Sequence, residues 1–186
     1  MAYAVAGKLC LRFAFFHPSA SPVWFPSGIA LTALLVLGYR FWPALFIGAF
    51  VVNMTTVGTV LSSLGIASGN TLEAVAAAYY INNFANGRNA FNRATDVLKF
   101  VVLAGFVSTA ISATLGVTSL ALTGYVSWAR YAPIWVTWWL GDAGGNIVAA
   151  PFFLLWTMKR SERWSRAKHK PGQHRAPACE TQHSPI

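Results

Sequence analysis

The strongest constraint on this chain is Val23–Asn53, VWFPSGIALTALLVLGYRFWPALFIGAFVVN, two apolar runs joined through Gly38, Tyr39, Arg40 and Phe41. Each run approaches the length of a bilayer-crossing helix, about 17–25 residues. A hairpin of this kind, with one basic residue at its turn, has too little polar surface to stand in water. The chain is therefore expected in a bilayer, with its function carried by polar groups held between helices.

Composition points the same way. Of 186 residues, 55% are hydrophobic, 15% aromatic with eight Trp, and only 10% charged. Soluble domains carry about a quarter charged residues, so a polytopic membrane protein in one bundle is expected. The net charge of +9 does not describe a nucleic-acid binder, because seven of the fourteen Lys/Arg lie between Lys159 and Arg175. Cys10 and Cys179 are far apart and no CxxC or Cys/His pattern exists, which leaves no disulfide framework or zinc site. There is no nucleophile elbow, HExxH, phosphate loop or GxGxxG. His17, His169, His174 and His183 are unpaired by spacing. Neither an enzyme nor a cofactor is expected.

Six candidate spans follow, at about 2–16, 23–39, 42–59, 61–82, 96–122 and 131–158. With no alternating strand pattern they are expected to be helices, which satisfy their own backbone in lipid. The fold class is all-α, a polytopic transmembrane bundle. Its last span is long, and Pro151 with Gly141, Gly144 and Gly145 would weaken or kink it. The first segment reads as the tail end of a first helix. Residues 1–158 form the expected membrane domain, and 159–186 a basic, Pro-containing disordered tail.

Orientation follows from the bases. Arg40, Arg88, Arg93, Lys99 and the seven tail bases lie on one side, Arg130 on the other. The positive-inside rule makes the first side cytoplasmic, so the C-terminus is cytoplasmic. The Trp24–Ser27 and Thr123–Pro133 connections are then expected to face outward.

A charge near the bilayer centre costs about 2.5–3.5 kcal/mol on insertion scales, so it usually has a partner or a task. Glu73 lies mid-span, three residues after Asn70 and on the same helix face. Trp135, Trp139, Asp142 and Asn146 make a second stripe. On one reading Asn70, Glu73, Asp142 and Asn146 converge on a polar ligand pocket lined by Trp24 and by Trp138 or Trp139. Its occupant would be a proton, a cation or an amine-bearing ligand. On the other reading each carboxylate bonds a neighbouring helix and fixes packing. Gly65/Gly69 and the Gly105, Thr109, Ser112, Gly116 stripe are expected at close helix contacts.

Five ordered blocks carry a family likeness. They are Val23–Ala30; Trp42-Pro43 with Gly48–Phe50 and Asn53; Gly69–Ala74; Ser112–Gly116; and Trp135–Trp139 with Gly141–Ala143 and Pro151. In these the chain resembles the MASE family of bacterial membrane-associated sensor domains, in its first type, over about residues 5–158. Phe25 departs from the proline usual in the family. The resemblance implies a multi-pass input domain of the bacterial cytoplasmic membrane. Such domains precede a histidine kinase or a GGDEF or EAL output, none of which lies in this sequence. A fragment, a frameshifted gene and a stand-alone partner protein all stay open. The implied partners are the bilayer, a small ligand or ion, and a kinase or GGDEF/EAL protein, with a homodimer left open. A small transporter or channel subunit, or an inactive scaffold, are the competing functions.

Overall fold

In a computed structural model of the chain, the described residues are 2–11, 24–56 and 59–157. All regular structure among them is helical: α1 (Ala2–Leu11), α2 (Phe25–Leu37), α3 (Trp42–Met54), α4 (Val60–Phe84), α5 (Ala94–Leu122) and α6, which starts at Tyr131. The chain divides into two compact units, Met1–Leu155 and Trp156–Ile186. Of the second, only Trp156 and Thr157 are described, and both are helical. The expectations for the basic tail, the four His residues and the 17–22 connection lie outside the described residues.

The six helices fall on the six apolar segments, but α2 and α3 are each 13 residues, shorter than expected. Proline sits in the first turn of both, where its missing N–H is harmless. Gly38, at φ 91°, stops α2 in a conformation that disfavours side-chain-bearing residues. At the end of α3 the Thr55 hydroxyl folds back onto the Val51 carbonyl at 2.7 Å. By length and composition, one helix among the described residues, Ala94–Leu122, is long and apolar enough to cross a membrane.

The start of α2 lies deep in the bundle. Trp24 and Ser27 are buried. The Trp24 N–H donates to the Gly141 carbonyl at 2.9 Å. Gly141 stands ten residues after Tyr131, or about 15 Å along α6 at 1.5 Å per residue. Thr32 then donates to the Ala150 carbonyl at 3.3 Å. So α2 starts part-way along α6 and runs parallel to its second half.

Small residues set the close contacts. A Cβ on Gly69 would lie 3.1 Å from Leu115 Cβ, and one on Gly65 would strike Ser119. That places α4 against α5, as the glycine spacing implies. A Cβ on Gly28 would meet Ala149 Cβ and the Ala150 nitrogen, both at 2.7 Å, so α2 and α6 also touch backbone to backbone. Gly116 admits the Trp138 ring. Around it Ile66, Ala113, Val117, Leu120 and Ile134 belong to one apolar cluster.

The glycine and proline stretch expected to weaken α6 is where its winding changes, since Gly145–Ala149, just before Pro151, is a π-helix. The wider turn lies where Pro151 offers no N–H to the preceding carbonyls. A second π segment, Val101–Val107, interrupts α5, with Ser108 N–H donating five residues back to Leu103. The two π segments adjoin, since a Cβ on Gly105 would meet the Ile147 side chain at 2.9 Å.

The exterior is apolar. Leu122 (74% exposed), Leu61 (69%) and Phe152 (64%) are among many large hydrophobic side chains on it. Inside lie Ser27, Asn70, Glu73, Ser112, Asp142 and Asn146. A soluble monomer shows the reverse bias, with few large apolar patches.

Candidate functional site

Four helices supply a buried polar cluster. From α4, Glu73 Oε1 accepts from Asn146 Nδ2 of α6 at 3.0 Å. The same nitrogen donates to the Ala104 carbonyl of α5 at 2.8 Å. Ala104 lies in one π segment and Asn146 in the other. From α2, the Ser27 hydroxyl donates to Asp142 Oδ1 at 2.9 Å. Ser27 follows Pro26 in the first turn of α2, so the positive end of that helix dipole also faces the Asp142 carboxyl. The Glu73 and Asp142 side chains are near enough to act on one another electrostatically, with Ser112 beside both.

A short relay continues from there. Trp138 Nε1 donates to Ser112 Oγ at 3.2 Å, and Ser112 Oγ donates to Asn70 Oδ1 at 2.7 Å. Asn70, Glu73, Trp138, Asp142 and Asn146 are therefore brought together, all of them buried. Trp139 is not. Its Nε1 donates to the Phe106 carbonyl at 2.9 Å, and its ring stacks on Trp135 at 5.6 Å. The stripe of Trp135, Trp139, Asp142 and Asn146 thus divides, the acid and amide turning inward and the two indoles lying half-buried beside α5. Trp24 contributes its backbone, while its ring packs against Cys10 and Val52.

Ser27 and Ser112 belong to the cluster although sequence reasoning did not single them out as site residues. A hydroxyl at helix spacing among glycines reads as packing. The readable signal was that each sits in a block already notable for other reasons: Trp-Phe-Pro-Ser-Gly, and the small-residue stripe. The grooves on the outer face of α4, one lined by Trp42, Phe46 and Leu72, another by Tyr39, Tyr79 and Tyr80, share no residue with this cluster.

Hydrogen bonding uses only half of each acid. Glu73 Oε2, Asp142 Oδ2 and Asn146 Oδ1 receive no donor from the protein, and Trp24 Nε1 has no acceptor. Most buried polar atoms are satisfied, so three orphan oxygens in one cluster call for an explanation. If packing alone were the purpose, one donor per carboxyl would leave the other oxygen a pure cost.

The MASE1 family model matches residues 1–181 of the chain. This chain belongs to the MASE1 family. MASE1 domains are membrane-associated sensory input modules rather than catalytic ones, typically linked to kinase or cyclic-di-GMP output domains. No curated protein and no solved structure matches the chain. Membership in MASE1 agrees with the likeness carried by the five sequence blocks. It assigns no task to the Glu73–Asp142 cluster, whose reading rests on the chain's own geometry.

Proposed function

We propose that this MASE1 chain is a multi-pass sensory input domain whose stimulus acts at the Glu73–Asp142–Asn146 cluster and is passed on through α6. The carrying observation is the meeting of two buried acids, each with an unpartnered oxygen, where α2, α4, α5 and α6 join. Six apolar helices around a polar interior support the reading of six spans, with the 1–158 region in the membrane and the 159–186 region as a basic tail. Arg40, Arg88, Arg93 and Lys99 stand at one end, which we assign to the cytoplasm along with the C-terminus. Lys8 joins Arg130 at the other end, donating to the Thr55 carbonyl at 2.7 Å. The bias among the described bases keeps its sign.

The cluster is well placed to act on α6. Asp142 lies just before its π segment and Asn146 within it. A ligand biases a two-state helix only by its differential affinity for the two arrangements. Here the site's own ligating groups ride on the element that would move. The output is a histidine kinase or a GGDEF/EAL protein, reached by fusion or by association.

The test is a chimera carrying a reporter output. Asp142→Asn and Glu73→Gln should each change its output while membrane insertion stays intact. Normal output from both variants would sink the reading. A small transporter or channel subunit is the second reading, favoured by the half-length α2 whose N-terminus abuts a buried acid. Proteoliposomes separate the two, since the sensor gives no ion or solute flux.

A further inference from the structure

We infer that the Glu73 and Asp142 carboxyls together bind one monovalent cation, a proton or an alkali ion, held between Glu73 Oε2 and Asp142 Oδ2. This rests on the cluster being the stimulus site and names the class of its occupant. Both acids are sealed from solvent, Glu73 at 1% exposure and Asp142 at 0%. Their side chains are near enough to act on one another electrostatically, yet one oxygen of each receives no donor from the protein. Asn146, 1% exposed, has its amide nitrogen on Glu73 Oε1 and its own oxygen also unpartnered.

The surroundings supply no neutralising charge. Facing the pair are the Ser27 hydroxyl from α2, Asn70 from α4, Ser112 and the Ala104 carbonyl from α5, and Trp138 and Asn146 from α6. Among the described residues no Lys, Arg or His bonds to either carboxyl; the ion pair found is Lys99–Asp96. Two adjacent carboxylates in a dry interior repel and are each costly to desolvate. An electropositive group between the two bare oxygens relieves both costs at once.

Enclosure limits what that group can be. Gly28 is pressed on the α6 backbone, and Gly116 on the Trp138 ring. These close contacts on either side of the pair favour a small occupant over an organic amine. Calcium takes 6–8 oxygens and magnesium keeps several waters. The cluster offers three free oxygens, Glu73 Oε2, Asp142 Oδ2 and Asn146 Oδ1, fewer than either ion needs. A proton shared by the two carboxyls needs the fewest of them, and an alkali ion would have to draw further oxygens from the carbonyls around the pair.

The full chain in lipid nanodiscs provides the test, by thermal unfolding in two series. One lowers the pH from about 9 to about 5 in choline chloride; the other replaces choline by Na+ at constant pH and ionic strength. A ligand that binds the folded state at about 100 times its Kd should raise Tm by about 5–10 °C. A rise in the pH series alone identifies the proton, and a rise with Na+ identifies the alkali ion. Glu73→Gln and Asp142→Asn should each flatten the response, because the new amide N–H replaces the cation as donor to the facing oxygen. A flat wild-type Tm in both series overturns the inference, as does an unchanged response in both variants. If neither variant folds, wild-type 22Na+ binding and proton release decide, with about one ion per chain expected and none overturning it. Cation binding together with unaltered reporter output from both variants leaves the site standing and removes the sensor reading alone.

Discussion

Asn146 on α6 donates one amide nitrogen to both Glu73 Oε1 of α4, at 3.0 Å, and the Ala104 carbonyl of α5, at 2.8 Å. One side chain thereby ties three helices, and it does so within a π segment, where the ordinary i−4 ladder is broken. Interhelical hydrogen bonds in membrane proteins average about 0.6 kcal/mol, with a maximum near 1.7. Asn146→Ala removes two and leaves a buried acid oxygen bare, so about 1–2 kcal/mol of stability should be lost. Unfolding of the purified protein in detergent measures this, and an unchanged midpoint would show that the tie carries no load.

Glycines separate into those that set helix distance and those that do not. Gly28→Ala places a methyl 2.7 Å from Ala149 Cβ and from the Ala150 backbone nitrogen, and must push α2 off α6. Overpacking of this kind costs about 1–3 kcal/mol. Gly144 has nothing within 4 Å of its Cβ position. Gly144→Ala should therefore be neutral or stabilising by up to about 1 kcal/mol, from helix propensity. Melting the two variants side by side checks the sign of the difference, and a Gly28→Ala protein as stable as Gly144→Ala would count against the packing described.

Much of this arrangement was legible in the sequence. Long apolar runs cannot hide, and all six helices lie on them, although among the described residues only Ala94–Leu122 has the length and composition to cross a membrane. Glu73 and Asp142 stood out because an acid in an apolar run is costly anywhere. What sequence could not give was depth. Trp24, Pro26 and Ser27 do not reveal how deep the start of α2 lies; only the Trp24–Gly141 contact places it in the interior. Nor does spacing show which of two adjacent indoles turns inward. Trp138 and Trp139 are 100° apart on a helix, and the π segment that follows shifts the register between the indoles and Asn146. The π segment of α5 was invisible, since Val101–Val107 has no unusual residue beyond Gly105, whereas that of α6 falls at the Gly144, Gly145 and Pro151 stretch expected to weaken the span.

Arg88 provides a test of the loop end of the bundle. Its Nε donates to the Leu35 carbonyl at 2.7 Å and its Nη2 to the Val36 carbonyl at 2.5 Å. Those carbonyls end α2 and have no helical partner, and a cation there also suits the helix dipole. Hydrogen bonds to charged groups contribute about 1.5–3 kcal/mol. Arg88→Ala should lower stability by about that amount, with Arg88→Lys recovering only part, since an ammonium lacks the forked geometry. Equal melting of Arg88→Lys and the parent would show that charge alone matters at this end.

The π segment in α6 yields the sharpest test of how occupancy at the cluster is relayed. A π segment holds one more residue than the α-helical turn it replaces, so deleting Val148, which is exposed, should let Gly145–Ala149 rewind as α-helix. The helix beyond it then keeps its phase, because four α-helical residues at about 100° each cover nearly the arc of five in the wider turn. Single cysteines placed across 150–157 should therefore keep their maleimide-labelling faces, as should those on α2–α5. In the reporter chimera the output should stop responding to Glu73→Gln, because the turn that could rewind is gone. If the labelling pattern is kept but Glu73→Gln still alters output as before, then the π segment of α6 is not the path, and coupling must leave the cluster through α4 or α5.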